Sequence, residues 1–186
     1  MAYSRFLLLL IGALCFYLPE AEPRPVDFWC KPEIRRNWRG NTAATIDKMI
    51  ECQGSSDLQA TTIQCPFVGI NRLRWDNLTL LEKFSETMSD LQMLQNGLEE
   101  AQNQTFLSCQ PLLKDIKLHM RNNRVILQSQ ILNTTMEASS PPQMCSGLSE
   151  VLRRYLKLLQ GKLELFVNSY ANIICNKNTR NFIGNG

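Results

Sequence analysis

Leu148-Ser149-Glu150-Val151-Leu152-Arg153-Arg154-Tyr155-Leu156-Lys157-Leu158-Leu159-Gln160-Gly161-Lys162-Leu163 decides how the rest of the chain is read. Leu148, Leu152, Tyr155 and Leu159 recur at helical steps, and Phe166 and Tyr170 carry the same stripe onward. That spacing lines up one apolar face along a helix. Glu150, Arg153, Arg154, Lys157, Glu164 and Asn168 fall on the other side. The segment therefore reads as a long amphipathic helix from about Gly147 to Ile174, with Ser146 as its N-cap.

Working outward, three further segments carry the same period, and no stretch alternates as a strand. The first runs from Pro32, a residue suited to a first helical turn, to Cys52. Ile34, Trp38, Thr45, Met49 and Cys52 would form its stripe, which Gly40 weakens. The second runs from Asn77 to Leu98. Thr79 and Glu82 have the spacing of a capping box, and Leu81, Phe84, Met88, Leu91, Leu94 and Leu98 mark one face. The third runs from Thr105 to Leu132, lined by Leu112, Ile116, Met120, Leu127 and Ile131. Pro111 requires this helix to begin near Ser108, since proline lacks the N–H that a helix interior needs.

The links between these segments carry the topology. Gln53–Asp76 and Asn133–Ser146 are long, the latter broken by Ser139-Ser140-Pro141-Pro142; the link around Asn103 is short. A helix of about 22 residues is about 33 Å long, and an extended link of about 14 residues reaches about 46 Å, enough to run back beside it. Long, short, long is the connectivity of an all-α, up-up-down-down four-helix bundle with two crossover loops. Residues 22–175 would form this domain, and the polar stretch Asn176–Gly186 a disordered tail.

The N-terminal segment sets the compartment. After Arg5, an apolar run of about 13 residues from Phe6 to Leu18 is short of the roughly 20 that span a bilayer. Residues 1–21 read as a secretory signal peptide, with an uncleaved anchor as the alternative. Six cysteines follow Cys15: Cys30, Cys52, Cys65, Cys109, Cys145 and Cys175. In an oxidising compartment they suggest three disulfides, and sequence alone leaves the connectivity open. Asn77, Asn103 and Asn133 begin N-glycosylation sequons.

Twenty Lys+Arg against 17 Asp+Glu give a net charge of +3, with no basic block of the kind that binds nucleic acid. His119 is the only histidine, so any His-dependent triad would have to use it; a structural imidazole is the simpler reading. No phosphate loop, HExxH or paired metal-ligand motif occurs, so no catalysis, cofactor or metal is expected. Trp38 is read as core in preference to an interface anchor.

Val151 to Leu163, with its leucine-rich run and its Gly161-Lys162 pair, resembles the last helix of the erythropoietin–thrombopoietin family, which ends at a cysteine, here Cys175. The spacing of Cys30, Cys52, Cys109 and Cys175, and the run Phe106-Leu107-Ser108-Cys109-Gln110-Pro111-Leu112-Leu113, resemble the thrombopoietin side of that family. Erythropoietin-like sequences usually lack a cysteine at the Cys109 position. The resemblance covers most of residues 25–175. It implies the pairs Cys30–Cys175 and Cys52–Cys109, which leaves Cys65 with Cys145, a departure from the family pattern. Cys52–Cys65 with Cys109–Cys145 is the competing set. The outer bridge would contribute roughly 5 kcal/mol by restricting the unfolded chain, so its loss should impair secretion before it impairs receptor contact.

The resemblance further implies a secreted, monomeric haematopoietic cytokine that brings two chains of a class I cytokine receptor together, without nucleic acid or membrane insertion. The first and fourth helices would supply the strong receptor face, and the first and third the weak one. The candidate contacts are Lys162, Arg153, Arg154 and Lys157 on the fourth helix and Arg35, Arg36 and Arg39 on the first. On this reading Lys162→Glu weakens receptor activation and leaves folding intact. Other helical cytokines and the saposin-like lipid binders, also small, helical and disulfide-rich, are the alternatives.

Overall fold

The computed structural model describes residues 25–53, 63–102, 107–129 and 142–183. The signal-peptide reading, Asn103, Asn133 and Ile131 lie outside them. The elements are α1 (Pro25–Cys30), α2 (Pro32–Gln53), β1 (Ile63–Cys65), α3 (Arg72–Asn77), α4 (Leu80–Ala101), a 3-10 turn (Leu107–Cys109), α5 (Gln110–Gln128), β2 (Gln143–Cys145), α6 (Leu148–Gln160) and α7 (Lys162–Ile183). The described residues are thus mostly helical.

Local chemistry explains the helix ends. Thr79 caps α4 with its side chain, and the Glu82 carboxylate accepts the Thr79 N–H in return, the expected capping box. Pro111 stands in the first turn of α5, where its missing N–H costs nothing. The N-cap of α6 is Gly147, one residue after the expected Ser146. Its φ of 154° lies where a side chain is rarely tolerated. The Ser146 N–H instead donates to the Glu150 carboxylate. α6 and α7 meet at Gly161, so the expected fourth helix is interrupted there. α7 extends to Ile183, into the stretch for which composition suggests a disordered tail.

One apolar core joins the helices. α4 packs against α5, α6 and α7; α2 packs against α5 and α6; α1 lies on α7. Met88, Leu91, Leu94 and Leu98 of α4 meet Leu152, Tyr155, Leu159 and Phe166 in that core. Trp29 sits at one end, edge-on to Phe166 and Tyr170. Each side chain of this size contributes roughly 1.5–3 kcal/mol on burial, which makes the shared stripe the main source of stability.

Several stripe positions shift. On α2 the buried face is Arg35, Thr42, Ile46 and Met49, with Thr45 only half-buried. Two polar members blur its periodicity. Leu81, expected on the α4 stripe, is 49% exposed. On α5 it is Leu113, with Asn123, that joins Ile116, Met120 and Leu127 inside. Trp38 is half-buried and meets Phe28 and His119 edge-on, a packing role.

Two strands were not expected. β1 and β2 pair antiparallel, Ile63 opposite Cys145 and Cys65 opposite Gln143. Three residues are too few for alternation to show in sequence. Gly97 makes room for this ribbon, because a Cβ there would come within 2.9 Å of Ile63 Cγ2. Three disulfides close the molecule: Cys30–Cys175, Cys52–Cys109 and Cys65–Cys145. The first two are the pairs implied by the resemblance, the third is the expected pairing of the two cysteines it left over, and the competing set is not formed.

Candidate functional site

The basic residues singled out on the first and fourth predicted helices divide into two groups. The first group lies inside the molecule. Lys162, the first residue of α7, is 1% exposed. Its ammonium stands 2.7 Å from Glu86 Oε1 and 2.7 Å from Asp90 Oδ2, and donates to the Phe67 carbonyl at 2.9 Å. An ammonium has three donors, and three oxygens receive them. Arg74 of α3 completes the cluster, with its guanidinium 2.7 Å from Glu86 Oε2.

The electrostatics follow from burial and pairing. Desolvation pushes Asp90 up to about 6 against the pull of Lys162, so it is ionised at neutral pH. Burial also opposes the charge on Glu86, but bonds from Arg74 and Lys162 outweigh it and hold that carboxyl below its usual range. Lys162 therefore presents no charge to a partner surface, which corrects its reading as a direct contact. Lys162→Glu would set a third carboxylate against Glu86 and Asp90, so the geometry argues that this variant loses stability and does not fold intact.

Arg35 is likewise interior, at 5% exposed. It donates to the Phe28 and Trp29 carbonyls at 3.0 and 2.8 Å, which ends α1, and to Asn168 Oδ1 at 2.6 Å. Its fork also reaches the Glu164 carboxylate, which Arg39 approaches to 2.7 Å from one turn further along α2. Arg154 is partly buried. It holds Glu150, the Pro66 carbonyl and Gln143 Oε1, joining α6 to both long connections. Glu150 is held below the usual carboxylate range by the Ser146 N–H and by Arg154.

The second group faces solvent. Arg153 and Lys157 are exposed one turn apart on α6, and Arg36 is exposed on α2. Asn77, the last residue of α3, is exposed too, and its side-chain amide donates to the Leu73 carbonyl. The structure thus brings Arg35 and Arg39 together through Glu164, and sets Arg153 beside Lys157.

Sequence reasoning passed over Phe67. Its ring is 49% exposed, while the backbone beneath it is pinned: Cys65 is in a disulfide, the Pro66 carbonyl is held by Arg154 and its own carbonyl by Lys162. Ile70 closes the corner against Gly161, where a Cβ would come within 3.0 Å of Ile70 Cδ1. No periodicity marks such a residue. The available signal was Lys162 itself, which falls between Leu159 and Phe166 on the apolar stripe and so requires buried partners. His119 is half-buried against Trp38, and burial lowers its pKa.

Among the described residues, no group of three or more His, Cys, Asp or Glu is placed to hold a metal ion, and no helix is long and apolar enough to cross a membrane. The arrangement offers fixed surface features on a disulfide-closed helical frame. Residues 29–178 match the family model described as erythropoietin/thrombopoietin. No individual curated protein matches the chain closely enough to add to this.

Proposed function

The chain belongs to the erythropoietin/thrombopoietin family of secreted helical cytokines, and from that premise we propose that it acts as a thrombopoietin-like hormone. Members of this family bind class I cytokine receptors. The proposed action is to bring two receptor chains together and so drive proliferation and differentiation of the megakaryocyte and thrombocyte lineage. The observation that carries the thrombopoietin side is the Cys52–Cys109 bridge, since erythropoietin-like sequences usually lack the second of these cysteines.

An up-up-down-down bundle of α2, α4, α5 and the α6–α7 pair is part of this reading. The bridges support it. Cys30, just before α2, is tied to Cys175 late in α7, and Cys52 near the end of α2 is tied to Cys109 just before α5. Both ties suit an α2 antiparallel to its partners. The packing of α2 on α5 and α6, and of α4 on α5, α6 and α7, suits it as well.

Arg36, Arg153 and Lys157, with the outer edge of Arg39, are the proposed strong-face contacts, because arginine forks and exposed ammonium groups favour complementary carboxylates. A signal peptide over residues 1–21 and N-glycans on Asn77, Asn103 and Asn133 belong to the same proposal. The test is growth of two factor-dependent cell lines, one bearing the thrombopoietin receptor and one the erythropoietin receptor, on purified mature protein. Growth of the first alone is expected. Growth of the second alone would reverse the assignment within the family.

A further inference from the structure

The segment Cys65–Ile70 has an uneven build: an exposed aromatic ring on a backbone fixed from below. Val68 is buried, Ile70 packs on the core and against Gly161, and the carbonyls of Pro66 and Phe67 are each taken by a cation. Those cations come from α6 and α7, and the carboxylates that hold Lys162 come from α4. Arg74, beyond the same corner on α3, binds the Glu86 carboxylate. Two helices, α4 and α7, and the connection that crosses them thus meet at one ammonium, which Arg74 of α3 reaches only through Glu86.

A lone surface loop would not need this. A buried ion cluster contributes little net stability compared with an apolar packing of the same volume, but it fixes geometry, because every donor demands its own acceptor. The Phe67 ring lies over Gly69, which leaves it room: a Cβ there would come within 2.4 Å of the ring. Aromatic side chains, Phe among them, are enriched at protein interfaces relative to the rest of the surface.

We infer that Lys162, with Glu86 and Asp90, is a positioning group for receptor binding: it sets the shape of the Cys65–Ile70 corner that presents Phe67 and never touches the receptor. Arg154 assists through Pro66. The inference rests on the receptor-binding reading above, and it reassigns the Gly161-Lys162 pair from contact to support.

The test is a double-mutant cycle on binding to the soluble ectodomains of the thrombopoietin and erythropoietin receptors. Lys162→Met/Asp90→Asn removes the ammonium without leaving Asp90 charged and keeps the Arg74–Glu86 pair. Phe67→Ala removes the ring. Each is expected to weaken binding about tenfold, and the combination to be no more than about threefold weaker than Phe67→Ala alone, since coupled residues do not add. Arg154→Met, on a partly exposed helix face, is the second variant should the first fold poorly, and it too should be non-additive with Phe67→Ala. Losses that multiply would mean independent contacts and overturn the inference, as would unchanged binding of the Lys162 variant. Wild-type protein silent on both ectodomains would contradict the receptor reading instead. Hydrogen exchange then judges the corner itself: amides of residues 65–70 should exchange about tenfold faster or more in the Lys162 variant, and unchanged exchange would overturn it.

Discussion

Two halves of one helical stretch, α6 and α7, treat their basic residues differently. On α6, Arg153 and Lys157 face solvent. Five residues past Lys157, at the start of α7, Lys162 is enclosed by Glu86, Asp90 and the Phe67 carbonyl. The reason is position on the stripe. Arg153 and Lys157 fall opposite the Leu148–Leu152–Tyr155–Leu159 face, whereas Lys162 falls between Leu159 and Phe166, on it. The same division holds on α2, where Arg36 is exposed and its neighbour Arg35 is buried. Residue type alone does not tell a surface charge from an interior one; the face does.

The largest effect that would sharpen this contrast is on stability. Lys162→Met should destabilise the protein by about 3–5 kcal/mol, because it leaves Asp90 buried without its ammonium. Urea denaturation measures it, with Lys157→Met expected to leave the midpoint where it is. Equal midpoints for the two variants would break the comparison.

Arg35→Met comes next. It frees two helix-ending carbonyls and loosens Glu164, although Arg39 still holds that carboxylate. A loss of about 1.5–3 kcal/mol is expected, against no measurable change for Arg36→Met.

A smaller effect is on pH. Asp90 titrates near 6 in the folded protein, above an ordinary carboxylate, because burial disfavours its charge. The folded state therefore binds a proton that the unfolded state does not, between about pH 6 and 4. Asp90 makes the protein less stable as pH rises through that window. Glu86 and Glu150, held low, act in the opposite sense and only below the ordinary carboxylate range. His119, lowered by burial, loses stability as pH falls, but it is common to wild type and variant. Hence the stability difference between pH 5 and pH 7, read from urea midpoints, should shift towards pH 7 in Asp90→Asn. An unchanged difference would show that Asp90 is not desolvated as described.

The contrast also shows what was legible in the sequence. The four helical segments, the Thr79–Glu82 capping box and the first-turn Pro111 could be read because each is a local pattern with a local cause. Two of the disulfide pairs came through resemblance and the third as the two cysteines left over, since six cysteines carry no connectivity of their own. The β1–β2 ribbon escaped because three residues cannot display a period of two, and because its register is tied to a disulfide between distant loops. Glu86 and Asp90 escaped for a different reason: on α4 they are charged residues that lie inside, and cations arriving from elsewhere in the chain, Lys162 of α7 for both and Arg74 of α3 for Glu86, make that tolerable. Leu81 shows the converse, an apolar residue on the expected stripe that its neighbours leave half exposed.

On the proposed function, the exposed cations of α6 meet a receptor while the interior ones hold shape. Charge reversal of the exposed pair, Arg153→Glu/Lys157→Glu, tests this most directly by binding to the thrombopoietin-receptor ectodomain alongside a thermal melt. An unchanged melting temperature and binding weakened about tenfold or more are expected. Unchanged binding by the folded variant would contradict it.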